Sequence, residues 1–222
     1  EYNLYISKKT DPSESVPGKI ILIQQFFIPE NKLRLNELQQ TLKCNCHNKT
    51  IDKIILLNEK IYTNEELGTN DSKIEQINIS KRLTYKDVFE YSNKLEEDTY
   101  IILANADIFF DASIGRVRES GLTTNKKAYT LLRHELNKPL LKECELFGPR
   151  CESQDTWIWN SKWKITYNLL KTFNMELGLP GCDNKIIYLL IISGFMCYNE
   201  PKWIKCFHHH NTNLRSYGKN KQ

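Results

Sequence analysis

Runs of apolar residues separated by polar, turn-forming stretches divide the chain into alternating strands and helices. Residues 19–27 (KIILIQQFF) form a continuous β-rich apolar run, the pattern of a strand buried on both faces of a parallel sheet, and Pro29 closes it. Residues 31–42 then set Leu33, Leu35, Leu38 and Leu42 near one face of a helix. A second apolar strand, residues 52–57 (DKIILL), is followed at once by Asn58 and Glu59, and residues 76–79 supply a third. Thr84 offers an N-cap for a helix over residues 85–95 whose apolar side is Val88, Phe89 and Tyr91.

The chain is organised around residues 99–111 (TYIILANADIFFD). An apolar run stops at Asn105-Ala106-Asp107 and restarts, which predicts a buried strand that presents a carboxylate at the edge of the sheet. Beyond it the pattern predicts a short helix over residues 112–119 and strands at 127–132 and 156–159. A strongly apolar helix over 185–193 starts after Gly181-Cys182-Asp183-Asn184 and ends at Gly194. Strands at 195–198 and 203–207 lead into His208-His209-His210. Residues 1–18 read as an extended polar lead-in, with Pro12, Pro17 and Gly18 near its end. Strand–helix alternation in the first half and a mixed second half predict a single α/β domain, with a mixed, mostly parallel central sheet flanked by helices.

Composition narrows the class. A length of 222 residues with 40% hydrophobic content suffices for one large core. The net charge of +4 comes from 31 basic and 27 acidic residues with no block of either sign, which permits an anionic ligand and does not ask for nucleic acid. No apolar run reaches the roughly 18 residues that span a bilayer, and the N-terminal stretch lacks the order of a signal peptide. Seven cysteines, an odd count without regular spacing, fit reduced thiols and a cytoplasmic location better than a disulfide framework. The chain begins with Glu rather than Met, as a processed product or a segment of something larger would. Cys44-Asn45-Cys46-His47 lacks the second ligand pair that a structural zinc site needs.

Four places carry chemistry. Asn105 and Asp107 put an amide and a carboxylate on one face of a strand end, where they can bind a hard divalent cation and a sugar or phosphate; the same residue types also simply end strands. Asp183 stands at a helix N-terminus, where the macrodipole favours its charge, and suits either a cap or a base. Asp155 followed by Thr156-Trp157 pairs a carboxylate with an aromatic, which suits a sugar; Trp157 and Trp159 alternate with polar positions, so one of them belongs to the core. His208 and His210 share a face of a strand, so they can ligate a metal or touch a diphosphate, or form a solvated basic end.

From Pro180 to His210 the chain has an acid, a long apolar helix, Gly194-Phe195, a strand and a terminal His cluster. In order and spacing this resembles the inverting glycosyltransferases of the GT-A fold, and Asn105-Ala106-Asp107 is similar to their Asp-x-Asp motif. The resemblance is to family-two-like nucleotide-sugar transferases, including the short type of large DNA viruses, for which the location would be the host cytoplasm. There are two departures: Asn105 replaces the first Asp, and Cys182 stands where many relatives have Glu.

The resemblance implies a GT-A-like domain over residues 19–217, with a nucleotide-binding half at 19–111, an acceptor half at 112–217 and a tail at 218–222. It implies a nucleotide-diphosphate sugar donor, a glycan or protein acceptor and Mn²⁺ or Mg²⁺ on Asp107, with His208 and His210 as further ligands. Gln24, Gln25, Glu59, Arg82, Tyr85, Asn105, Asp107 and Arg215 would surround the nucleotide sugar, Tyr85 by stacking on the base. A surface ion pair for Arg82 and core packing for Tyr85 are the alternatives. Asp183 would be the general base with Asp155 as its rival, and Asp155 and Trp157 would meet the acceptor. Two other classes stay open. A nucleotidyltransferase builds a similar α/β half but usually carries a glycine-rich basic loop after the first strand, where this chain has Ile28-Pro29-Glu30-Asn31. A non-catalytic module for nucleotide or nucleic acid would rely on the basic tail and bind in a salt-dependent way.

Overall fold

The computed structural model describes residues 18–96, 98–148, 150 and 153–212; Arg215, most of the lead-in and the tail lie outside them. The first half alternates as expected: β1 (Ile20–Gln24), α1 (Lys32–His47), β2 (Lys53–Asn58), the single turn α2 (Asn64–Leu67), β3 (Ile74–Asn78), α3 (Tyr85–Asn93) and β4 (Tyr100–Ala104). The second half is irregular: β5 (Ile108–Phe110), β6 (Lys127–Leu131), β7 (His134–Glu135), β8 (Thr156–Asn160), α4 (Tyr167–Leu170), α5 (Cys182–Ile192), β9 (Met196–Tyr198) and β10 (Cys206–His208).

Seven strands form the main sheet in the order β3-β2-β1-β4-β8-β6-β9, and β8 alone runs against its neighbours. Successive residues of its strands face opposite layers. Ile20, Leu22, Ile54, Leu56 and Ile102 pack with Leu38 and Leu42 of α1. Ile21, Ile23, Ile55, Ile101 and Leu103 pack with Val88 and Phe89 of α3 and with Ile186, Leu189 and Leu190 of α5. Trp157 and Trp159 lie two apart on β8 and so share that second layer, which makes both of them core rather than one. No helix among the described residues is long and apolar enough to cross a membrane.

Three local expectations change. Residues 99–111 are not one nicked strand: β4 lies in the main sheet, and β5 belongs to a second sheet of order β5-β10-β7. The backbone N of Asn105 still bonds the Asp155 carbonyl at 3.1 Å, and Ile108 N then bonds the Asn105 carbonyl, so the turn at 105–107 redirects the chain between sheets. In α1, Leu33 is 68% exposed, and Arg34, Glu37, Thr41 and Asn45 point inward with Leu38 and Leu42; Arg34, Glu37 and Asn45 meet polar partners under that face. Of the strand predicted at 203–207 only Cys206 and Phe207 are paired, and the pairing runs on to His208; the short helix predicted over 112–119 is present, as a 3-10 helix.

Capping sets the other helix starts. Thr84 and Asp87 form a reciprocal capping box on α3. Gly181, at φ +83°, turns the chain into α5 three residues earlier than its apolar run suggests, which places Asp183 in the first turn.

Candidate active site

The carboxyl ends of β1, β4 and β6 meet the small sheet at one edge, where open α/β sheets place their ligand crevices. Gln24 ends β1 and is buried. Its Nε2 donates to the carbonyls of Asn105 (2.7 Å) and Ile108 (3.0 Å), and its Oε1 accepts from Asn45 Nδ2 (3.2 Å). Asn45 also accepts from Phe110 N through Oδ1. Two amide side chains thus splint the turn that carries Asp107, so Gln24 positions the site from beneath.

Asp107 is the hub. Its Oδ2 faces the guanidinium of Arg34, His208 Nε2 at 3.2 Å and His210 Nδ1 at 3.7 Å, while its carbonyl accepts from His209 N at 2.9 Å. Burial alone would raise this carboxyl, but His208 and Arg34 more than reverse it and hold it well below the usual carboxylate range. His208 Nδ1 lies 2.9 Å from Glu135 Oε2. Burial disfavours a charged ring, yet the carboxylates of Asp107 and Glu135 raise His208 to about 9. Arg34 Nη1 donates to Glu37 Oε2 (2.8 Å) and to the His209 carbonyl (3.0 Å), and Glu37 Oε1 accepts from Asn211 N and Thr212 N. The chain end that brings the histidines is therefore fastened to α1.

A second acidic centre adjoins the first. Arg133 bridges Glu135 Oε1 (2.8 Å) and Asp155 Oδ2 (2.8 Å), and Asn105 Nδ2 donates to Asp155 Oδ1 (2.9 Å). Both oxygens of Asp155 are engaged, and the residue is 7% exposed. Asp183, close enough to Asp155 to be repelled by it, differs. Burial pushes its carboxyl up to about 6 and Asp155 adds to this, while hydrogen bonds from the Cys182 thiol (3.2 Å) and the Gln154 backbone only partly offset the rise. Asp183 is thus held at about 6, above the ordinary carboxylate range, while Asp155 is tied to Arg133 and Asn105.

The remaining sequence candidates separate. Gln25 links the Leu57 and Lys81 carbonyls to Leu83 N, Glu59 is exposed at the end of β2, and Arg82 bonds the Leu177 carbonyl and faces Glu176 at 3.6 Å. Tyr85 is 0% exposed: it packs edge-on against Trp157 and its hydroxyl reaches Cys182 Sγ at 3.5 Å, so it has no open face on which a base can stack. Trp157, 1% exposed, likewise has no surface for an acceptor. Arg34, Glu37, Arg133 and Glu135 are the site residues that the sequence reading passed over. Their signals were an Arg and Glu three apart in the first turns of α1, and an Arg and Glu two apart just past the carboxyl end of β6.

Asp107, His208 and His210 offer ligand atoms that all lie within 4.8 Å of one another, and they form the one such cluster among the described residues. One carboxylate and two imidazoles make a mixed donor set that suits Mn²⁺ better than Mg²⁺, which prefers oxygen. Glu135 behind His208 Nδ1 is the supporting carboxylate that metal-bound imidazoles commonly have. A divalent ion fits these residues, in competition with Arg34 for the same carboxylate oxygen and with the proton that Asp107 and Glu135 hold on His208.

The fold and this edge define an α/β domain with two linked acidic centres at the carboxyl ends of its strands. No protein-family model matches the sequence, and the search of curated proteins finds no match. Likeness is found among solved structures. A structure assigned to a glucose-1-phosphate thymidylyltransferase from Bacillus anthracis, in complex with a sucrose, superposes with a TM-score of 0.50 at 10% identity, covering 82% of this chain and 86% of that one. The 4-diphosphocytidyl-2C-methyl-D-erythritol synthase of Anaerococcus prevotii gives a TM-score of 0.46 at 17% identity, covering 85% of this chain and 90% of that one. At 10% identity the thymidylyltransferase likeness speaks to the fold: an α/β domain with a mixed, mostly parallel sheet flanked by helices.

Proposed function

We propose that the chain is a glycosyltransferase that moves a sugar from a nucleotide-diphosphate donor to an acceptor hydroxyl with inversion. The observation that carries this reading is the pairing, at one sheet edge, of the Asp107-His208-His210 cluster with a carboxylate, Asp183, that burial pushes up to about 6. In this reading Asp107, His208 and His210 hold a divalent cation, which when bound neutralises the diphosphate leaving group. Asp183 takes the proton of the attacking hydroxyl. Asn105, Arg133 and Asp155 position the two centres relative to each other. Gln25, Glu59 and Arg82 line the nucleotide side. Arg215 would close over the phosphates.

Nucleotidyl transfer is the second reading, supported by the fold of the thymidylyltransferase. The loop after β1 argues against it. It has no glycine, and the backbone N–H of Phe26 is spent on Asn58 Oδ1 at 2.8 Å instead of being presented to a phosphate. Thermal denaturation against a panel of nucleotide sugars, with and without Mn²⁺, tests the donor, because a ligand of the folded state alone raises the melting point. Asp183→Asn is expected to retain that shift and to lose transfer by about 10²–10⁴-fold. Full activity in that variant removes Asp183 from the role, and pyrophosphate release from a nucleoside triphosphate and a sugar phosphate replaces the first reading with the second.

A further inference from the structure

We propose that the cavity beside the β9–β10 connection is a subsite for a neutral hexopyranose ring of the acceptor. This rests on the glycosyltransferase reading and supplies what it lacks, since the burial of Asp155 and Trp157 leaves them no surface for an acceptor. The cavity is a shallow depression open to solvent, with a volume of about 430 Å³, lined by Leu146, Asn199, Glu200, Pro201, Lys202 and Trp203. That volume falls within the roughly 300–1,000 Å³ of small-molecule sites.

Its walls have the chemistry of a sugar site. The turn is closed by Trp203 N and Ile204 N on the Glu200 carbonyl (3.0 and 3.1 Å), and the indole of Trp203 is held against Tyr129 with ring centroids 6.0 Å apart. Half-buried Trp203, Pro201 and Leu146 give an apolar floor that suits the C–H face of a pyranose. Exposed Asn199, Glu200 and Lys202 stand around the rim. The side chains of Glu200 and Lys202 form no hydrogen bond or ion pair with another described residue, and Asn199, whose Oδ1 accepts from Leu132 N at 3.1 Å, retains Nδ2 as a donor. A carboxylate, an ammonium and an amide above an apolar floor match vicinal hydroxyls above a C–H face.

The segment that carries Leu146 also reaches the candidate active site. Leu146 bridges to His134, Phe147 N donates to the Arg133 carbonyl at 2.9 Å, and the Arg133 guanidinium lies 3.9 Å from the Phe147 ring centroid. Arg133 in turn holds Asp155. A ring seated on Trp203 is thus separated by one strand-like segment from the group that orients the acidic centres.

Saturation-transfer NMR on the full chain, with methyl glucosides, galactosides and mannosides as probes, tests the subsite. At least one pyranoside is expected to receive saturation on its ring protons. Glu200→Ala should weaken that binding about fivefold, Trp203→Ala should abolish it, and Tyr188→Ala on the exposed side of α5 should leave it unchanged. Glu200 is exposed, so its variant remains informative if Trp203→Ala does not fold. No pyranoside binding, or binding that both Glu200→Ala and Lys202→Ala leave intact, overturns the subsite. Variant-sensitive pyranoside binding without any nucleotide-sugar binding keeps the subsite and overturns the glycosyltransferase reading instead.

Discussion

Asp155 and Asp183 are the same residue type in one neighbourhood, and their partners separate their roles. Asp155 meets Arg133 and Asn105, whereas Asp183 has a thiol and a backbone amide against burial and a neighbouring carboxylate. If Asp183 is the base, kcat/KM rises with pH and levels off above about 6, because only the deprotonated form accepts a proton. Stability runs the opposite way. The folded carboxyl titrates above its ordinary 3.8, so the cost of holding it charged is absent at low pH, grows as pH rises through this interval and is complete above about 6. That interval corresponds to at most roughly 3 kcal/mol before solvent screening of the partly buried group. Asp183→Asn should therefore raise the melting temperature at pH 8 and leave it nearly unchanged at pH 4, which denaturation scans at the two pH values check. A variant that is dead in transfer yet more stable marks a group kept for chemistry.

At the scale of elements, helix starts and chain anchors set the geometry. Gly181 begins α5 in the left-handed region, and a Cβ added there meets nothing within 4 Å, so the cost of Gly181→Ala is backbone strain alone, about 1–2 kcal/mol. We expect a matching loss in urea titration, and a smaller one for Gly181→Asn. The other anchor is Glu37 on α1, which receives Asn211 N, Thr212 N and the Thr212 hydroxyl and pairs with Arg34. Glu37→Ala frees the segment behind the histidines and leaves Arg34 short of a partner, at a cost of about 3 kcal/mol. Donor KM should rise more than kcat falls, and Glu37→Gln, which keeps an acceptor, should recover part of both. The inward turn of Arg34 and Glu37 was hidden by the leucines, because periodicity reports where apolar residues are and not which polar partners lie under the helix.

The whole molecule joins its two sheets at the 105–107 turn, and a cation bound there would tie the turn after β4 to β10 and the segment that follows it. Mn²⁺ should raise the melting temperature more than Mg²⁺, by several degrees at a hundredfold excess over its dissociation constant, where the gain is about 2.7 kcal/mol. His210→Ala should remove the difference between the ions. Equal shifts in the variant and the parent would take His210 out of the ligand set.

What the sequence by itself determined is local. Apolar runs marked β1, β2, β4 and β8, Thr84 marked the start of α3, and Asp107, Asp183 and His208 stood out because each stands at or beside the end of a regular element. Those signals depend on neighbours a few residues away, so they survive in a linear reading. Only the tertiary structure decided which carboxylate is engaged and which is poised, that Tyr85 and both β8 tryptophans are core, and that Arg34 shares Asp107 with His208. The partners of Asp107 lie 73 and 101 residues away along the chain. Burial and charge at such a point belong to the assembled edge, where desolvation and opposing charges act on a side chain together.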